Sequence, residues 1–395
     1  MKRAKLALIA LVISIFTAGT LSVNLVSANF FPEPAPQGIR IESDGRVNGT
    51  DKIQRDGNTY TFTDNIQGTI VVLRNDIVID GAGYTLQGNG NSTGIFLQDR
   101  NNVTVKGMVI RNFQYGIKLT WEYLETGSSN NTISGNTITG NNIGIQLNLF
   151  TKNNFVYDNA ITNNSYGIKI IHSPNNVLKN NQLKDNQFNL WVYVETSVQA
   201  SHYVNDIDTS NTVDGKPIYY WVNQHDKTVP SDAGYVALIS CSKITVQNLI
   251  LSNNGQGVLL VATNNSLITR NQMKNNGYGI VVYGPYEPCA DNTITKNEIM
   301  GWTEKDIFVW SDLENNIYDN DIVPNQNDID NSTPNQTSTP TPAPSASPSE
   351  PPQETEPQKE PTPTIWIAVA SGASVAIIGI GLLLYSKKRG RRLNL

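Results

Sequence analysis

Aromatic and basic side chains recur on one side of a set of short strands in this sequence. Aromatic ring faces stack on sugar rings, and ammonium groups attract acidic sugars. The residues on this side are Trp191, Tyr193, Tyr283, Phe308, Trp310, Lys118 and Lys169. They predict a surface that binds carbohydrate. The alternative is a surface covered by residues 198–231, because the equivalent positions Ile171, Leu259, Val261 and Val281 are apolar and large exposed apolar patches are unusual.

Carboxylates would indicate an enzyme instead. Glycoside hydrolysis uses two of them, separated by about 5–9.5 Å. Neither outward column of the strands contains Asp or Glu, and Asp158 and Asp319 share a corner column but lie several coils apart. The residues that could converge through loops are Glu122, Glu125, Glu195, Asp206 and Asp208. The sequence therefore favours a binding protein, with a polysaccharide lyase or hydrolase as one alternative and a structural surface-layer or adhesion element as another.

A repeated strand motif positions these residues. Eight times the chain reads turn residue, aliphatic, variable, aliphatic, and every aliphatic position holds Ile, Leu or Val. The motif starts at Gly94, Gly116, Gly144, Gly167, Asn189, Gly257, Gly279 and Asp306, at intervals of 22, 28, 23, 22, 68, 22 and 27 residues. Alternation at a nearly constant interval predicts that one strand unit is stacked many times.

Asparagines form a second column, eight or nine residues before the next turn residue. They are Asn136, Asn159, Asn181, Asn248, Asn271, Asn297 and Asn320, with Gly107 in the same register one coil earlier. Asparagine tolerates left-handed backbone, which allows a sharp bend. Its amide can also bond to the same residue one coil away. We therefore predict a structural ladder of asparagine side chains at one corner.

Coils of about 22–23 residues with three short strands predict an all-β fold, a single-stranded right-handed parallel β-helix. We assign it to residues 66–324, with an N-terminal cap at 29–65 that contains Tyr60 and Phe62. Residues 311–324 are expected to close the other end. The long interval after Asn189 predicts an irregular insertion with a protruding loop at about 196–233.

The two ends of the 395-residue chain predict a membrane-anchored surface protein. Lys2, Arg3 and Lys5 precede an apolar run, which indicates a signal peptide over residues 1–28, with an uncleaved anchor as the alternative. Residues 325–364 are rich in Pro, Ser and Thr and predict a disordered stalk. Residues 365–385 are uncharged and long enough to span a bilayer, and the basic tail 386–395 predicts a cytoplasmic C-terminus.

Charge, cysteines and glycosylation motifs agree with an extracellular position. The net charge of −5 predicts no nucleic-acid partner. Cys241 and Cys289 share a column two coils apart, about 9.6 Å, so a disulfide and two free thiols both stay open. Candidate N-glycosylation sites are Asn48, Asn91, Asn102, Asn130, Asn163, Asn264, Asn331 and Asn335.

Several turns identify a family resemblance. Asn130-Asn131-Thr132-Ile133, Asn153-Asn154-Phe155-Val156, Tyr166-Gly167-Ile168 and Asp80-Gly81-Ala82-Gly83-Tyr84 resemble the right-handed β-helix repeats called NosD-like. They are also similar to the wider pectin-lyase-like superfamily, and the resemblance covers roughly residues 60–324. Archaeal surface proteins with a signal peptide, a stalk and a C-terminal membrane helix share this layout. The repeated residues are structural, so the resemblance predicts fold rather than activity.

The resemblance raises the question of a metal. Uronide-cleaving members of the superfamily use Asp-bound calcium with a basic residue, which leaves calcium open for this chain. The NosD-like name implies copper, which prefers closely spaced His, Met or Cys ligands. This chain has three histidines, His172, His202 and His225, and no Met cluster after Met1. We therefore expect no metal and no other cofactor, and a carbohydrate or another cell-envelope component as the partner.

Overall fold

The computed structural model describes residues 37–121, 127–193, 199–284, 287–311 and 313–323. The predicted signal peptide, stalk, transmembrane helix and basic tail lie outside the described residues. Within these ranges no helix is both long enough and apolar enough to cross a membrane. The described part is a right-handed parallel β-solenoid of about 11 turns with one 3-10 helix, Ala200–Tyr203.

Five sheets form the walls of the solenoid, and neighbouring strands within each sheet are hydrogen-bonded in the following orders. Sheet 1 contains Val47–Asn48, Ile39–Ile41, Ile70–Val72, Thr93–Gln98, Tyr115–Thr120, Ile143–Asn148, Tyr166–Ile171 and Phe188–Tyr193. Sheet 2 contains Asp206–Ile207, Val177–Lys179, Phe155–Tyr157, Thr132–Ser134, Val103–Lys106, Ile77–Asp80, Thr59–Phe62 and Ile53–Asp56. Sheet 3 contains Lys305–Ser311, Tyr278–Gly284, Gln256–Val261, Tyr235–Ile239, Lys216–Val222, Thr212–Val213, Gln182–Lys184, Ala160–Thr162, Thr137–Thr139, Val109–Arg111, Thr85–Gln87 and Ile66–Gln67. Sheet 4 contains His225–Thr228, Ser242–Gln247, Leu267–Thr269, Thr293–Thr295 and Asn316–Tyr318. Sheet 5 contains Ile250–Ser252, Gln272–Lys274, Glu298–Met300 and Asp321–Val323.

The coils form two stacks, residues 39–213 and 216–323, which meet at a reversal of chain direction. Thr212–Val213 pairs antiparallel with the start of Lys216–Val222, and the two residues between them have positive φ, 48° at Asp214 and 80° at Gly215. Glycine and aspartate favour such a two-residue turn. The segment predicted as an irregular insertion with a protruding loop therefore contains a hairpin that joins two stacks, because sheet 3 continues through it.

The aliphatic columns predicted from the sequence lie in the interior. Ile95, Ile117, Ile145, Ile168 and Leu190 are fully buried and occupy one register along sheet 1. In the second stack, Val236, Val258 and Ile280 occupy the corresponding register along sheet 3. Each rung stacks on the same type of side chain above and below, so the column excludes water without a gap.

The strands of sheet 3 in the second stack are apolar on both faces. Val236, Leu238, Val258 and Leu260 belong to the core of the second stack. The intervening Tyr235, Ala237, Ile239, Leu259 and Val261 belong to the same hydrophobic cluster as Leu190 and Val192, the last interior rung of the first stack. One face of this sheet is therefore the wall of its own stack, and the other face closes the open end of the first stack.

Ladders of asparagine side chains stabilise the corners. We assigned both the backbone bend and the ladder to the asparagine, but in the structure the bend belongs to the residue before it. At this corner, the residues that form the bend with positive φ are Gly135, Asp158, Asn180, Arg270, Lys296 and Asp319. Each directly precedes a ladder asparagine. Asn248, with φ 57°, belongs to the bend column, and Leu249 holds the ladder position. Gly107 is likewise followed by Met108 in the ladder. These two assignments were wrong by one residue.

Each ladder asparagine bonds to the rung on either side. Asn159 Oδ1 accepts hydrogen bonds from the backbone N and from Nδ2 of Asn136, both at 3.1 Å, and Asn159 Nδ2 donates to Asn181 Oδ1 at 3.0 Å. The first stack has two further ladders that we did not predict, Asn131–Asn154–Asn176–Asn205 and Asn141–Asn164–Asn186. A five-residue spacing within each coil was the available signal, because three strand residues and one turn residue separate one corner asparagine from the next.

The two ends of the solenoid differ. Two antiparallel pairings, Ile39–Ile41 with Val47–Asn48 and Ile53–Asp56 with Thr59–Phe62, close the N-terminal end, where Tyr60 and Phe62 are buried. At the other end, residues predicted to form a cap continue the repeat instead, as Asn316–Tyr318 and Asp321–Val323 pair parallel with the preceding coil. Trp310, Ile317 and Tyr318 are exposed on this last coil.

Candidate functional site

A continuous group of aromatic rings lies where the first stack meets the second. We call it the aromatic junction, and it consists of Tyr166, Lys169, Phe188, Trp191, Tyr193, Tyr278, Phe308 and Trp310. Ring centroids lie 5.2 Å apart between Tyr166 and Trp191 and 6.0 Å apart between Trp191 and Tyr278. The contacts continue from Tyr278 to Phe308 at 5.8 Å and from Phe308 to Trp310 at 6.3 Å. Rings from sheet 1 and sheet 3 thus form one surface.

The exposure of the rings increases along the junction. Trp191 is buried and forms its floor, Tyr166, Tyr193, Tyr278 and Phe308 are half-buried, and the Trp310 side chain is 43% exposed. The rings of Phe308 and Trp310 are inclined by 26° to each other, so that they lie side by side on one strand. Such a pair offers a nearly flat apolar platform at the mouth of the junction.

Charged groups border the rings on two sides. The Lys169 ammonium lies 4.9 Å from the ring centroid of Tyr166, 5.1 Å from that of Tyr193 and 5.6 Å from that of Trp191. These distances are within the range of cation–π attraction. The exposed Glu304 lies close enough to Tyr166 and Tyr278 to act electrostatically on both phenols. Burial, with a smaller effect of the Glu304 carboxylate, raises the pKa of Tyr278 to about 12. The phenol therefore stays neutral and can donate a hydrogen bond at any physiological pH.

Two glycines of the second stack allow the Trp191 indole to enter the junction. A Cβ on Gly255 would lie 2.6 Å from the indole Cγ, and a Cβ on Gly277 would collide with the far edge of the ring. Hydrogen bonds also join the two stacks here: the backbone N of Gly255 donates to Leu190 O, and the side-chain Nε2 of Gln256 donates to Val192 O. Asp214 Oδ2 accepts from Asn189 and from Asn253. These contacts fix the position of the aromatic junction between the stacks.

The structure brings together five of the seven predicted ligand-binding residues: Lys169, Trp191, Tyr193, Phe308 and Trp310. The other two are buried: Lys118 lies on an earlier strand of sheet 1, and Tyr283 pairs with Trp310 in register but faces the interior between the stacks. The Lys118 ammonium lies over the Tyr115 ring at 4.4 Å, and Tyr283 packs against Tyr203 at 5.7 Å. Period-two alternation identified the side of the strand correctly, but that side is an internal surface in much of sheet 3. The apolar Leu259, Val261 and Val281 are buried for the same reason.

Four residues at the site were not anticipated: Tyr166, Phe188, Tyr278 and Glu304. Alternation places Tyr166 on the inward side of its strand. In the structure Tyr166 pairs with Phe188 on the next strand, and the two rings lie 5.2 Å apart by centroid at the junction. The recurring Tyr-Gly-Ile sequence was the available signal, because a tyrosine before a turn glycine has no place in an aliphatic column. Glu304 lies in a turn, outside any alternating pattern.

Of the carboxylates named from the sequence, the structure brings Asp206 and Asp208 together. Asp206 and Asp208 both approach the Lys179 ammonium, at 3.6 and 3.9 Å, on the outer surface of sheet 2. Asp158 belongs to the first stack and Asp319 to the second. Glu122, Glu125 and Glu195 lie outside the described residues.

Both cysteines are free thiols buried in the core of the second stack. Thr263 occupies the rung between them, with its hydroxyl accepting from Cys241 N at 3.2 Å and its carbonyl accepting from Cys289 Sγ at 3.1 Å. Burial raises the pKa of the Cys289 thiol to about 11. A full coil between the thiols explains why the disulfide considered from the sequence is not formed.

The candidate glycosylation sites differ in accessibility. Asn48, Asn91, Asn102, Asn130 and Asn163 are exposed, whereas Asn264 is half-buried and its Oδ1 accepts from Ala290 N at 2.8 Å. Asn331 and Asn335 lie outside the described residues. The first five are therefore the sites at which a glycan would meet no steric obstacle from the fold.

Two family models match consecutive parts of the chain. One is described as right handed beta helix region and matches residues 69–229, and the other is described as periplasmic copper-binding protein (NosD) and matches residues 224–345. No curated protein sequence matches the chain.

Solved structures with a similar solenoid include the mannuronan C-5 epimerase AlgE4 A-module of Azotobacter vinelandii, with 13% identity, 68% of this chain and 79% of that chain covered, and a TM-score of 0.29. Another is an alginate lyase of Paenibacillus sp. str. FPU-7, with 11% identity, 66% and 96% covered, and a TM-score of 0.25. At these identities and TM-scores the likeness says nothing about the reaction or substrate of this chain.

The histidines do not fit the copper site that the second description implies. The His172 and His202 rings are 6.2 Å apart by centroid, and His225 Nδ1 lies 2.9 Å from Asp226 Oδ2 at a distant, exposed position. In the part of the chain that the structure describes, no three His, Cys, Asp or Glu side chains come together as a metal ion would require. The arrangement of these side chains therefore supports no copper-dependent step.

Proposed function

Because this chain is a NosD-like right-handed parallel β-helix protein of the pectin-lyase-like superfamily, we propose that its solenoid binds a carbohydrate polymer of the cell envelope at the aromatic junction. The observation that carries the proposal is the graded run of rings from buried Trp191 to exposed Trp310, with Lys169 and Glu304 at its borders. Aromatic platforms stack on sugar rings, while flanking polar groups bind the hydroxyls and fix their orientation.

The aromatic junction is preorganised for such a ligand. Gly255 and Gly277 hold the Trp191 indole against the second stack, and Lys169 lies over three rings at once. Rings that are already fixed lose little conformational entropy when a sugar binds to them. The neutral Tyr278 hydroxyl and the Glu304 carboxylate supply a donor and an acceptor beside the platform.

We further propose that the solenoid acts outside the cytoplasm and is held at the membrane by residues 365–385, beyond a stalk formed by residues 325–364. The NosD family is described as periplasmic, which supports an extracytoplasmic position. Deleting residues 365–395 tests the anchor. The shortened chain should appear in the medium or in the soluble fraction, and its retention in the membrane pellet would contradict the proposal.

The binding proposal is tested by affinity electrophoresis of the full chain in detergent, through gels that contain polygalacturonate or a neutral glucan. Trp310→Ala and Phe308→Ala should weaken retention roughly five- to tenfold, as expected for the loss of about 1 kcal/mol of ring contact. Trp191 is unsuitable for this purpose, because its buried indole also holds the stacks together.

Phe155→Ala is the matched control. Phe155 is 43% exposed, as Trp310 is, but it lies on sheet 2 away from the aromatic junction. Retention equal to that of the unmodified chain is expected for this variant. We also propose that binding needs no metal, so EDTA should leave retention unchanged. If Trp310→Ala and Phe155→Ala migrate alike in every gel, the aromatic junction is not the binding surface. If the polysaccharide is shortened after incubation with the protein, the protein is an enzyme rather than a binding protein.

A further inference from the structure

A second concave surface, of different chemistry, lies at the N-terminal end of sheet 3. Two cavities of about 490 and 360 Å³ adjoin there and share Gln67 and Gln87 in their walls. We call this surface the amide groove. Its other polar walls include Lys52, Asn89, Ser92 and Arg111. None of these residues contributes to the aromatic junction, so the two surfaces can be tested separately.

The floor of the amide groove is a column of long polar side chains in register. Gln67 pairs with Gln87 and Gln87 pairs with Arg111 on successive strands. Neighbouring side chains of such a column are separated by one strand spacing, about 4.8 Å. Gln87 Nε2 donates to Gly88 O at 3.1 Å, which holds its amide in place. The column thus offers a guanidinium and two amides along one line.

The charge of the amide groove opposes that of the protein. The residues that line the two cavities include the cations Lys52 and Arg111 and no carboxylate, although the chain as a whole carries −5. The Lys52 ammonium already lies 2.8 Å from Asp64 Oδ2 and donates to Asn65 O. Arg111 is exposed and forms no ion pair with another described residue. Its guanidinium is therefore the uncompensated charge of the groove.

We propose that the amide groove binds a saccharide unit that carries a carboxylate. Arg111 receives the carboxylate through paired N–H donors, the geometry for which a guanidinium is suited. Gln67 and Gln87 each offer an amide donor and an acceptor, which match vicinal hydroxyl groups. This site lies apart from the aromatic junction and does not depend on its function.

The test is calorimetric titration of the full chain in detergent, with the Trp310→Ala substitution as background so that the aromatic junction contributes little. The probes are tri-galacturonate, neutral maltotriose of the same length, and inorganic sulfate. Tri-galacturonate should bind, and Arg111→Gln should weaken it about ten- to a hundredfold, as expected for the loss of a charged hydrogen-bond pair. Arg111→Lys keeps the positive charge but lacks the paired N–H donors, so its affinity for tri-galacturonate should lie between that of the background chain and that of Arg111→Gln.

Arg270→Gln is the control for the change in net charge, because Arg270 is exposed on the second stack. It should bind tri-galacturonate as the background chain does. Gln67→Leu should weaken tri-galacturonate and leave sulfate unaffected. Equal binding by Arg111→Gln and the background chain would overturn the proposal, as would equal affinity for maltotriose. Sulfate binding as tight as that of tri-galacturonate would reveal an anion site without sugar recognition, which also overturns it.

Discussion

The two stacks satisfy their corners in different ways. In the first stack, asparagine ladders occupy all three corners, whereas in the second stack Leu249 stands where an asparagine is expected and Ser266 replaces another. Both cores are nevertheless fully buried. The corner N–H of each rung donates to a side-chain oxygen of the next rung, as Leu249 N does to Asn271 Oδ1. The backbone N–H at each corner therefore needs a side-chain acceptor on the next rung. The first residue of a ladder has no preceding rung to accept from, so its own side chain can be apolar.

Both stacks follow this rule at their starting rungs. In the first stack the ladders begin at Val103, Met108 and Phe113, whose N–H groups donate to Asn131, Asn136 and Asn141. In the second stack Ile244 N donates to Ser266 Oγ. A residue in the middle of a ladder must supply a side-chain acceptor to the rung before it and a donor to the rung after it, as Asn159 does with its amide and Ser266 does with its hydroxyl and its backbone N–H.

The largest effect is expected at a middle rung of the first stack. Asn159→Ala removes the acceptor of Asn136 N and Nδ2 and the donor to Asn181, all of them buried. Each buried group left without a partner costs about 1–3 kcal/mol, so the free energy of unfolding should fall by about 3 kcal/mol or more. Urea titration measures it. A loss below about 1 kcal/mol would show that the amide ladder does not stabilise the first stack.

The contact between the stacks gives the next effect. Gly277→Ala places a methyl group against the Trp191 indole and should cost about 1–3 kcal/mol through overpacking. Thermal unfolding followed by tryptophan fluorescence measures the loss of stability and also reports the change in the environment of the indole. The double variant with Trp191→Phe supplies the control: the smaller ring relieves the contact with the indole, although Gly255 O stays 2.7 Å from the added Cβ, so the relief should be partial. Additive losses in the double variant would contradict a direct clash, because residues in contact are expected to couple.

Acidification should affect the first stack through one histidine. Burial, together with the neighbouring His202, lowers the pKa of His172 from 6.5 to about 4. The folded state therefore binds this proton less readily than the unfolded chain does. The contribution of the neutral His172 to the free energy of unfolding is complete above pH 6.5 and is lost as the pH falls toward 4. The loss amounts to about 2 kcal/mol between pH 7 and pH 5.

Unfolding free energies measured by urea titration at several pH values test this dependence. His172→Asn should flatten the slope, since asparagine cannot titrate and tolerates the φ of 43° found at this position. Equal slopes for the unmodified chain and for His172→Asn would exclude His172 as the source.

The smallest effect is expected at the last rung of the second stack. Asn320 Oδ1 accepts from Asn297 N at 3.1 Å, yet Asn320 is half-buried and no described strand lies beyond it. Water can replace the amide there, so Asn320→Ala should cost about 1 kcal/mol or less in the same urea titration. A cost equal to that of Asn159→Ala would mean that position in the ladder is irrelevant.

Alternation in the sequence was sufficient to predict the solenoid and its aliphatic columns, because Ile117, Ile145 and Ile168 must avoid water in any parallel stack. It could not predict the environment of the opposite face. Tyr283 and Trp310 occupy the same column of adjacent strands, yet one packs against the first stack and the other reaches solvent. That difference arises from the reversal at Asp214-Gly215, which resembles any other turn in the sequence. Part of the aromatic junction was therefore predicted, namely Lys169, Trp191, Tyr193, Phe308 and Trp310, but its location between the stacks was not.

The contact between Trp191 and the two glycines limits how this protein can change length. Solenoids commonly gain or lose whole coils, since each coil contacts only its neighbours. A coil added between residues 216 and 254 would move Gly255 and Gly277 one rung away from the indole and bring bulkier side chains against it. Coils added after residue 323 would disturb neither this contact nor the contacts of Phe308 with Tyr278 and Trp310. Evolution or design can therefore lengthen this protein at its far end, while the number of turns before the indole contact is fixed.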